Sequence, residues 1–321
     1  MIEKEALMTA AIDIRAVTRT YGHATALDDV SFRVPEGSIC GLFGSNGAGK
    51  TTVMSIIAGH DRPSSGEALV LGATPFEHEP TVSRISFIRD NQRYPDNYQL
   101  KHVLRIAPEF APDWNAEVAA ELVDGFRIPA KTPVKKFSRG QLSAVAIVLG
   151  LASRAPVTLF DEPYLGLDVG ARTLFYDVLL RDYGRHPRTI LLSTHLIDES
   201  ESLFDRVVIL DAGRVAVDCD RDEARELAVV ISGAADAVGR LTAGRTVLQT
   251  RAIGSLSSVT VTGDVDETLL ADARRTGVQV ASASLQQLVA AYGATTGTEN
   301  AAGPTHATST RTTQQKESAS A

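Results

Sequence analysis

The chain has 321 residues, enough to bury one large core or two smaller ones, with the 44% hydrophobic and 22% charged content of an ordinary soluble globular protein. A net charge of −7 with no basic stripe argues against broad contact with nucleic acid, and no apolar run approaches the length that spans a bilayer. Two cysteines, Cys40 and Cys219, make neither a disulfide framework nor a metal-ligand spacing, which fits a reducing, cytosolic setting.

Met1–Glu5 lacks the basic-then-apolar order of a signal peptide, and Met8 offers an alternative start because periodic sequence begins only near Ala11. Residues 11–17 and 27–34 read as strands joined through the turn-rich Thr20-Tyr21-Gly22-His23. Ser38–Phe43 reads as a buried strand, 52–59 as a helix, and Glu67–Gly72 as a short strand after Pro63-Ser64-Ser65-Gly66. Prolines at 80, 95, 108, 112, 129 and 133 then punctuate two helices over about 99–107 and 115–126, the second capped by Asp113. A long amphipathic helix runs from Gly140 to Arg154, with Leu142, Val145, Ala146, Leu149 and Ala152 at helical spacing. Val157–Phe160 and Thr189–Leu192 are continuous apolar runs ending in polar residues, the pattern of parallel strands buried on both faces. A hairpin follows over 206–217. The expected architecture is an α/β sheet domain over 11–218 with an inserted helical arm at about 90–136. Beyond it, strands at 227–232, 246–252, 257–262 and 278–282 alternate with helices at 234–241, 266–276 and 284–291. That order predicts a small α+β, ferredoxin-like domain over 225–292, followed by a disordered tail over 293–321.

Gly44-Ser45-Asn46-Gly47-Ala48-Gly49-Lys50-Thr51 fits the G-x-x-x-x-G-K-[ST] phosphate loop in full, between a strand and a helix. Its glycines let successive N–H groups turn inward around phosphate oxygens, and the following helix adds positive potential at its N-terminus. Lys50 is placed to reach the β- and γ-phosphates of a nucleoside triphosphate, and the Thr51 hydroxyl to ligate Mg²⁺. The strand Val157–Phe160 delivers Asp161 and Glu162 to the edge of a parallel sheet where ligands bind, Asp161 for Mg²⁺ and Glu162 for the attacking water. Phe137-Ser138-Arg139-Gly140-Gln141, at the start of the long helix, offers the Ser138 hydroxyl and the Gly140 amide as a second anion site.

The loop at 44–51, the pentapeptide at 137–141, the acidic strand at 157–162, Gly166-Leu167-Asp168 and Ser193-Thr194-His195 occur in an order that resembles the ATPase subunit of the ATP-binding-cassette superfamily. The resemblance covers about residues 11–217 and implies a P-loop NTPase fold that hydrolyses ATP with Mg²⁺. It places Tyr21 against adenine, Thr52 on the α-phosphate and His195 on the γ-phosphate, holding the water–Glu162 arrangement. Ser138 and Gly140 would clasp the γ-phosphate bound to a second subunit, with Asp168 at the contact, in a head-to-tail dimer enclosing two ATPs. Two departures stand out. Phe137 and Arg139 replace Leu and Gly of the usual Leu-Ser-Gly-Gly-Gln, and Asp90 stands where the family places a metal-sensing Gln. Asp90 is then a candidate metal ligand, with Gln92 as the alternative after a small shift.

Lys50, Glu162 and His195 together argue for a working ATPase, as a homodimer or paired with a related chain. The leading expectation is the ATP-hydrolysing subunit of a transporter at the cytoplasmic face of the membrane, with separate integral membrane permease subunits docking on the arm near Tyr94, Tyr98, Leu100 and Val103. The C-terminal Ser284–Tyr292 resembles the tail of exporter-type cassette subunits, which favours export. A soluble cassette ATPase acting on ribosomes or nucleic acid is the alternative, disfavoured by a single cassette, no sustained heptads and no basic surface. A regulatory ATPase of a membrane complex is the third reading.

Overall fold

The computed structural model of the protein describes residues 9–89, 92–263 and 265–299. Ala10–Tyr21 (β1) and Ala24–Pro35 (β2) form an antiparallel hairpin closed by Gly22 and His23. Both strands outrun the expected 11–17 and 27–34. Register shifts along the pair, with Ala16 and Asp29 at φ 49° and 54°, break the strict alternation on which a sequence reading depends. Ile39–Phe43 (β3) leads through the glycine-rich loop into the helix Lys50–Ile57 (α1), and Ser65–Val70 (β4) returns to pair with β1. Ile85–Arg89 (β5) is a further strand.

The arm that follows contains Leu100–Ile106 (α2) and Ala116–Gly125 (α3). Asp113 does not cap α3. Asn115 does, its Oδ1 accepting from Val118 N at 2.8 Å, because the cap must immediately precede the first helical residue while Asp113 still lies in the preceding turn. Arg139–Ser153 (α4) begins in a capping box: Gln141 N donates to Ser138 Oγ at 3.2 Å and Ser138 N to Gln141 Oε1 at 3.0 Å. Val157–Asp161 (β6), the helix Val169–Arg185 (α5), Thr189–Ser193 (β7), Arg206–Asp211 (β8) and Arg214–Asp220 (β9) complete this part.

The central sheet has the order β5-β6-β7-β3-β8-β9, parallel except for β9. Every residue of β3, β6 and β7 is buried, since both faces are covered. On one face lies the antiparallel sheet β2-β1-β4, where Ile12, Ile14, Leu27 and Val30 share a core with Leu42, Val53 and Met54. On the other, α4 and α5 bring Val145, Val148 and Phe175 against Phe160 and Leu192. Beneath that layer Asp182, fully enclosed, accepts from Arg154 at 2.6 Å and from Arg188 at 2.8 Å. Burial raises its pKa, but the two guanidinium groups outweigh this and hold it below the ordinary carboxylate value.

Beyond β9, Ala228–Ala234 (β10), Ala235–Thr242 (α6), Val247–Ile253 (β11), Leu256–Thr262 (β12), Glu267–Thr276 (α7) and Gln279–Ser282 (β13) build an antiparallel sheet of order β11-β12-β10-β13. Val229, Ile231, Val259 and Val261 meet Val238 and Leu269 of the two helices in a separate small core. The last helix, Leu285–Glu299 (α8), packs on β8 and β11 and buries Leu285, Leu288 and Ala291. It continues past Gly293, where a disordered tail was expected to start. Once the buried first turns nucleate the helix, each further residue adds a hydrogen bond at little cost. The remainder of that expected tail, 300–321, lies outside the described residues.

Candidate active site

Parallel pairing sets the strand ends level. Arg89 stands opposite Asp161, Asp161 opposite Ser193, and Leu42 opposite Ser193, so β5, β6, β7 and β3 end along one edge. The loop 44–51 rises from that edge. Its Gly49 has φ 104°, and a Cβ there would stand 2.6 Å from Leu27 Cδ2 and 2.8 Å from Ala26 O, so only glycine fits between loop and β2. Ser45 and Thr52 are half-buried, Asn46, Gly47 and Thr51 are exposed, and Ala48 is packed inward. Lys50 is buried, its Nζ donating to Gly44 O at 2.8 Å and Ser45 O at 3.1 Å. Burial pushes its pKa down, opposed by the nearby Glu162 and Asp161.

Asp161 accepts from two hydroxyls, Thr51 Oγ1 at 2.7 Å and Ser193 Oγ at 2.6 Å. Thr51 and Asp161 thus present hard oxygen donors side by side, a set that suits Mg²⁺ when phosphate and water oxygens supply the remaining ligands. Asp90, the third candidate ligand, lies outside the described residues, one position beyond Arg89 at the end of β5. Gln92 is half-buried and lines a groove in the arm, its Oε1 enclosed without a hydrogen-bond partner among the described residues.

Glu162 sits in the left-handed backbone region at φ 49°, and its N–H donates to Ser193 Oγ at 3.1 Å. A non-glycine residue held there is strained, and the strand-to-turn break aims its side chain across the strand end toward His195. Its Oε2 lies 2.5 Å from His195 Nδ1. Tyr164, which sequence reasoning passed over, reaches both partners: its hydroxyl donates to Glu162 Oε2 at 3.2 Å and accepts from His195 N at 3.2 Å. Ser193 carries no role in the sequence reading, yet its hydroxyl ties Asp161 to Glu162 N. The Tyr164–Glu162 bond is local, but the bonds of Ser193 to Asp161 and Glu162 and of the His195 N–H to Tyr164 depend on how β6 and β7 pair, which no local signal marks.

Ser138 and Gly140 belong to a second surface. Gly140 packs on the turn before α5, where a Cβ would stand 2.3 Å from Gly166 O. Asp168 is exposed and caps α5, its Oδ1 accepting from Ala171 N at 2.8 Å. Tyr21 is 48% exposed. Its hydroxyl donates to Asp61 at 2.5 Å, and the Arg19 guanidinium covers one ring face at 4.4 Å, leaving stacking room to the other. From the C-terminal side α8 approaches the glycine-rich loop, where a Cβ on Gly293 would lie 3.5 Å from that of Ser45.

A family model described as ABC transporter matches residues 27–165. The Nod factor export ATP-binding protein I of Rhizobium johnstonii is 31% identical over 214 residues, 65% of this chain and 68% of that protein. The ribose import ATP-binding protein of Pseudomonas putida is 33% identical over 222 residues, 65% of this chain but 43% of that protein. Among solved structures, an ATP binding subunit of an ABC transporter is 27% identical, covers 68% of this chain and 92% of its own, and superposes with a TM-score of 0.61. With its strand order, its glycine-rich loop and its acidic strand end, the chain belongs to the ABC transporter family and is one of its ATP-binding, ATP-hydrolysing cassettes.

Proposed function

We propose that this cassette is a peripheral subunit at the cytoplasmic face of a membrane, driving export through separate permease subunits as a head-to-tail dimer around two Mg²⁺-bound ATPs. The observation that carries the reading is the meeting of Lys50, Thr51, Asp161, Glu162 and His195 at one sheet edge beside the glycine-rich loop. In this reading Lys50 leaves the carbonyls of Gly44 and Ser45 for the β- and γ-phosphates. Thr52 touches the α-phosphate, the amides of residues 44–50 line the phosphate chain, and Tyr21 stacks on adenine. Thr51 and Asp161 hold Mg²⁺, which when bound neutralises phosphate charge. Glu162 orients the water and takes its proton as oxygen bonds to the γ-phosphorus. The bond to the bridging oxygen breaks, and ADP leaves with inorganic phosphate. His195 steadies the γ-phosphate, while Ser138 and Gly140 of one copy close over the ATP of the other.

Support for a membrane partner comes from the arm. A groove of 590 Å³ runs between the arm and the sheet, lined by Tyr94, Tyr98, Val103, Phe110 and Trp114. Phe110 is 78% exposed, an apolar ring placed for a partner helix. Leu100 and Val103, also expected as contacts, are both packed in the core, Val103 at the same time lining the groove. Among the described residues no helix is long and apolar enough to cross a membrane, so in this proposal the substrate path belongs to other chains. Export is favoured because the exporter relative matches over more of its own length than the importer does. We read residues 225–292 as a ferredoxin-like domain appended to the 11–218 ATPase domain, on the separate core they enclose.

The test is affinity capture of tagged Glu162→Gln protein from detergent-solubilised membranes with ATP and Mg²⁺. The variant should bind ATP, lose nearly all turnover, and bring down a multi-span membrane protein in stoichiometric amount. Recovery only from the soluble fraction, alone or with ribosomes or nucleic acid, would overturn the transport reading.

A further inference from the structure

We infer that Tyr164 is a positioning residue for hydrolysis: its buried hydroxyl holds Glu162 by one carboxylate oxygen and the His195 backbone by its N–H, leaving the other Glu162 oxygen for the attacking water. The inference rests on the reading of Glu162 above. Tyr164 is 2% exposed, so its ring is fixed by packing before any ligand arrives. The hydroxyl donates to Glu162 Oε2 and accepts from His195 N, each at 3.2 Å, which joins the end of β6 to the segment after β7. The same ring stands edge-on to the His195 imidazole, with centroids 5.8 Å apart and planes at 65°. Burial, with Glu162 beside it, pushes the phenol well above its ordinary pKa, so it stays protonated and remains a donor to the carboxylate.

This matters because Ser193 anchors only the main chain of Glu162, through its N–H. Among the described residues the carboxylate itself has two hydrogen-bond partners, the Tyr164 hydroxyl and the His195 ring. Its other partner, the His195 side chain, is 58% exposed and, in the proposed cycle, turns toward the γ-phosphate. When it does, the tyrosine hydroxyl is the contact that keeps Oε2 in place. A buried hydroxyl on a rigid ring can hold that position to a fraction of an ångström, which is what orienting a water demands.

The experiment compares the full chain with Tyr164→Phe, Glu162→Gln and the double variant, reading kcat and KM for ATP, ATP affinity and the thermal midpoint. Tyr164→Phe keeps the ring and should lower kcat about tenfold, the loss of one hydrogen bond to a charged group, with ATP affinity changed less than about twofold. On the Glu162→Gln background the same change should leave the residual rate unaltered, because the tyrosine acts through that carboxylate. A wild-type kcat in Tyr164→Phe with Glu162→Gln inactive would overturn the positioning role alone. So would a loss of the same factor on both backgrounds, or a kcat loss accompanied by an equal loss of ATP affinity. Wild-type turnover in Glu162→Gln would instead overturn the reading of Glu162 and this inference with it.

Discussion

Gly140→Ala separates two reasons for a glycine in the pentapeptide at 137–141. A flexible or phosphate-facing amide would tolerate alanine, since Gly140 lies in the first turn of a helix where alanine is the preferred residue. The packing says otherwise. The new Cβ would stand 2.3 Å from Gly166 O and 3.0 Å from its carbonyl carbon, both backbone atoms that no rotamer change can move. About 1 Å of separation between the start of α4 and the turn at Gly166 is needed to relieve the overlap, a strain of roughly 1–3 kcal/mol. At about 2–4 °C per kcal/mol for a domain of this size, the thermal midpoint should fall by roughly 2–12 °C. The same displacement moves Ser138 and Asp168, the edge that closes on a partner's nucleotide in the proposed dimer. A misplacement of about 1 Å there should reduce ATP turnover on the order of a hundredfold. ATP binding to the monomer, which uses the loop at 44–51, should be unchanged. The assays are thermal unfolding, steady-state phosphate release and equilibrium ATP binding on the full chain. A variant with wild-type midpoint and wild-type turnover would refute the claim that the Gly140–Gly166 contact sets this edge.

Asp182→Asn removes the carboxylate that, among the described residues, pairs with both Arg154 and Arg188, the latter guanidinium being 4% exposed. A loss of about 3 kcal/mol is expected in denaturant unfolding at neutral pH. The lowered Asp182 pKa adds a sign: its stabilisation is present above the ordinary value of 3.8 and drains as pH falls through the lower native value. The acid limb of the stability curve should therefore be flatter in Asp182→Asn than in wild type; parallel limbs would contradict the pairing. Lys50→Ala should weaken ATP binding by about 2 kcal/mol, roughly thirtyfold, through loss of a charge-assisted contact, with the fold intact because Lys50 bonds only loop carbonyls. Unchanged affinity by calorimetry would remove Lys50 from the phosphate site.

Much of the site was legible because its elements are local. The loop at 44–51 carries its backbone requirement, its cation and its hydroxyl within eight residues. The start of α4 reads as Gly140, within a residue of Arg139, although the Ser138–Gln141 capping bonds that fix it emerge only from the structure. Asp113 shows the limit of such reading, since a carboxylate two residues from Asn115 has the same chemistry and only the turn geometry selects between them. The β1 and β2 boundaries were missed for a related reason: bulges interrupt alternation in the sequence without ending the strand in space.

By itself, then, the sequence determined the candidate residues for phosphate and metal, the parallel character of β6 and β7, and the order of the elements read from it, which left out β5 at the edge of the central sheet. These follow from side-chain chemistry and from periodicities of a few residues. The tertiary structure alone decided which strand lies beside which, and so that Ser193 holds Asp161, that Tyr164 joins Glu162 to His195, and that Gly140 is a packing glycine against Gly166. It also decided that α8 reaches the loop at Ser45. Contacts of this kind join residues tens to hundreds of positions apart, and their distances are set by register and close packing of whole layers, which no local pattern encodes.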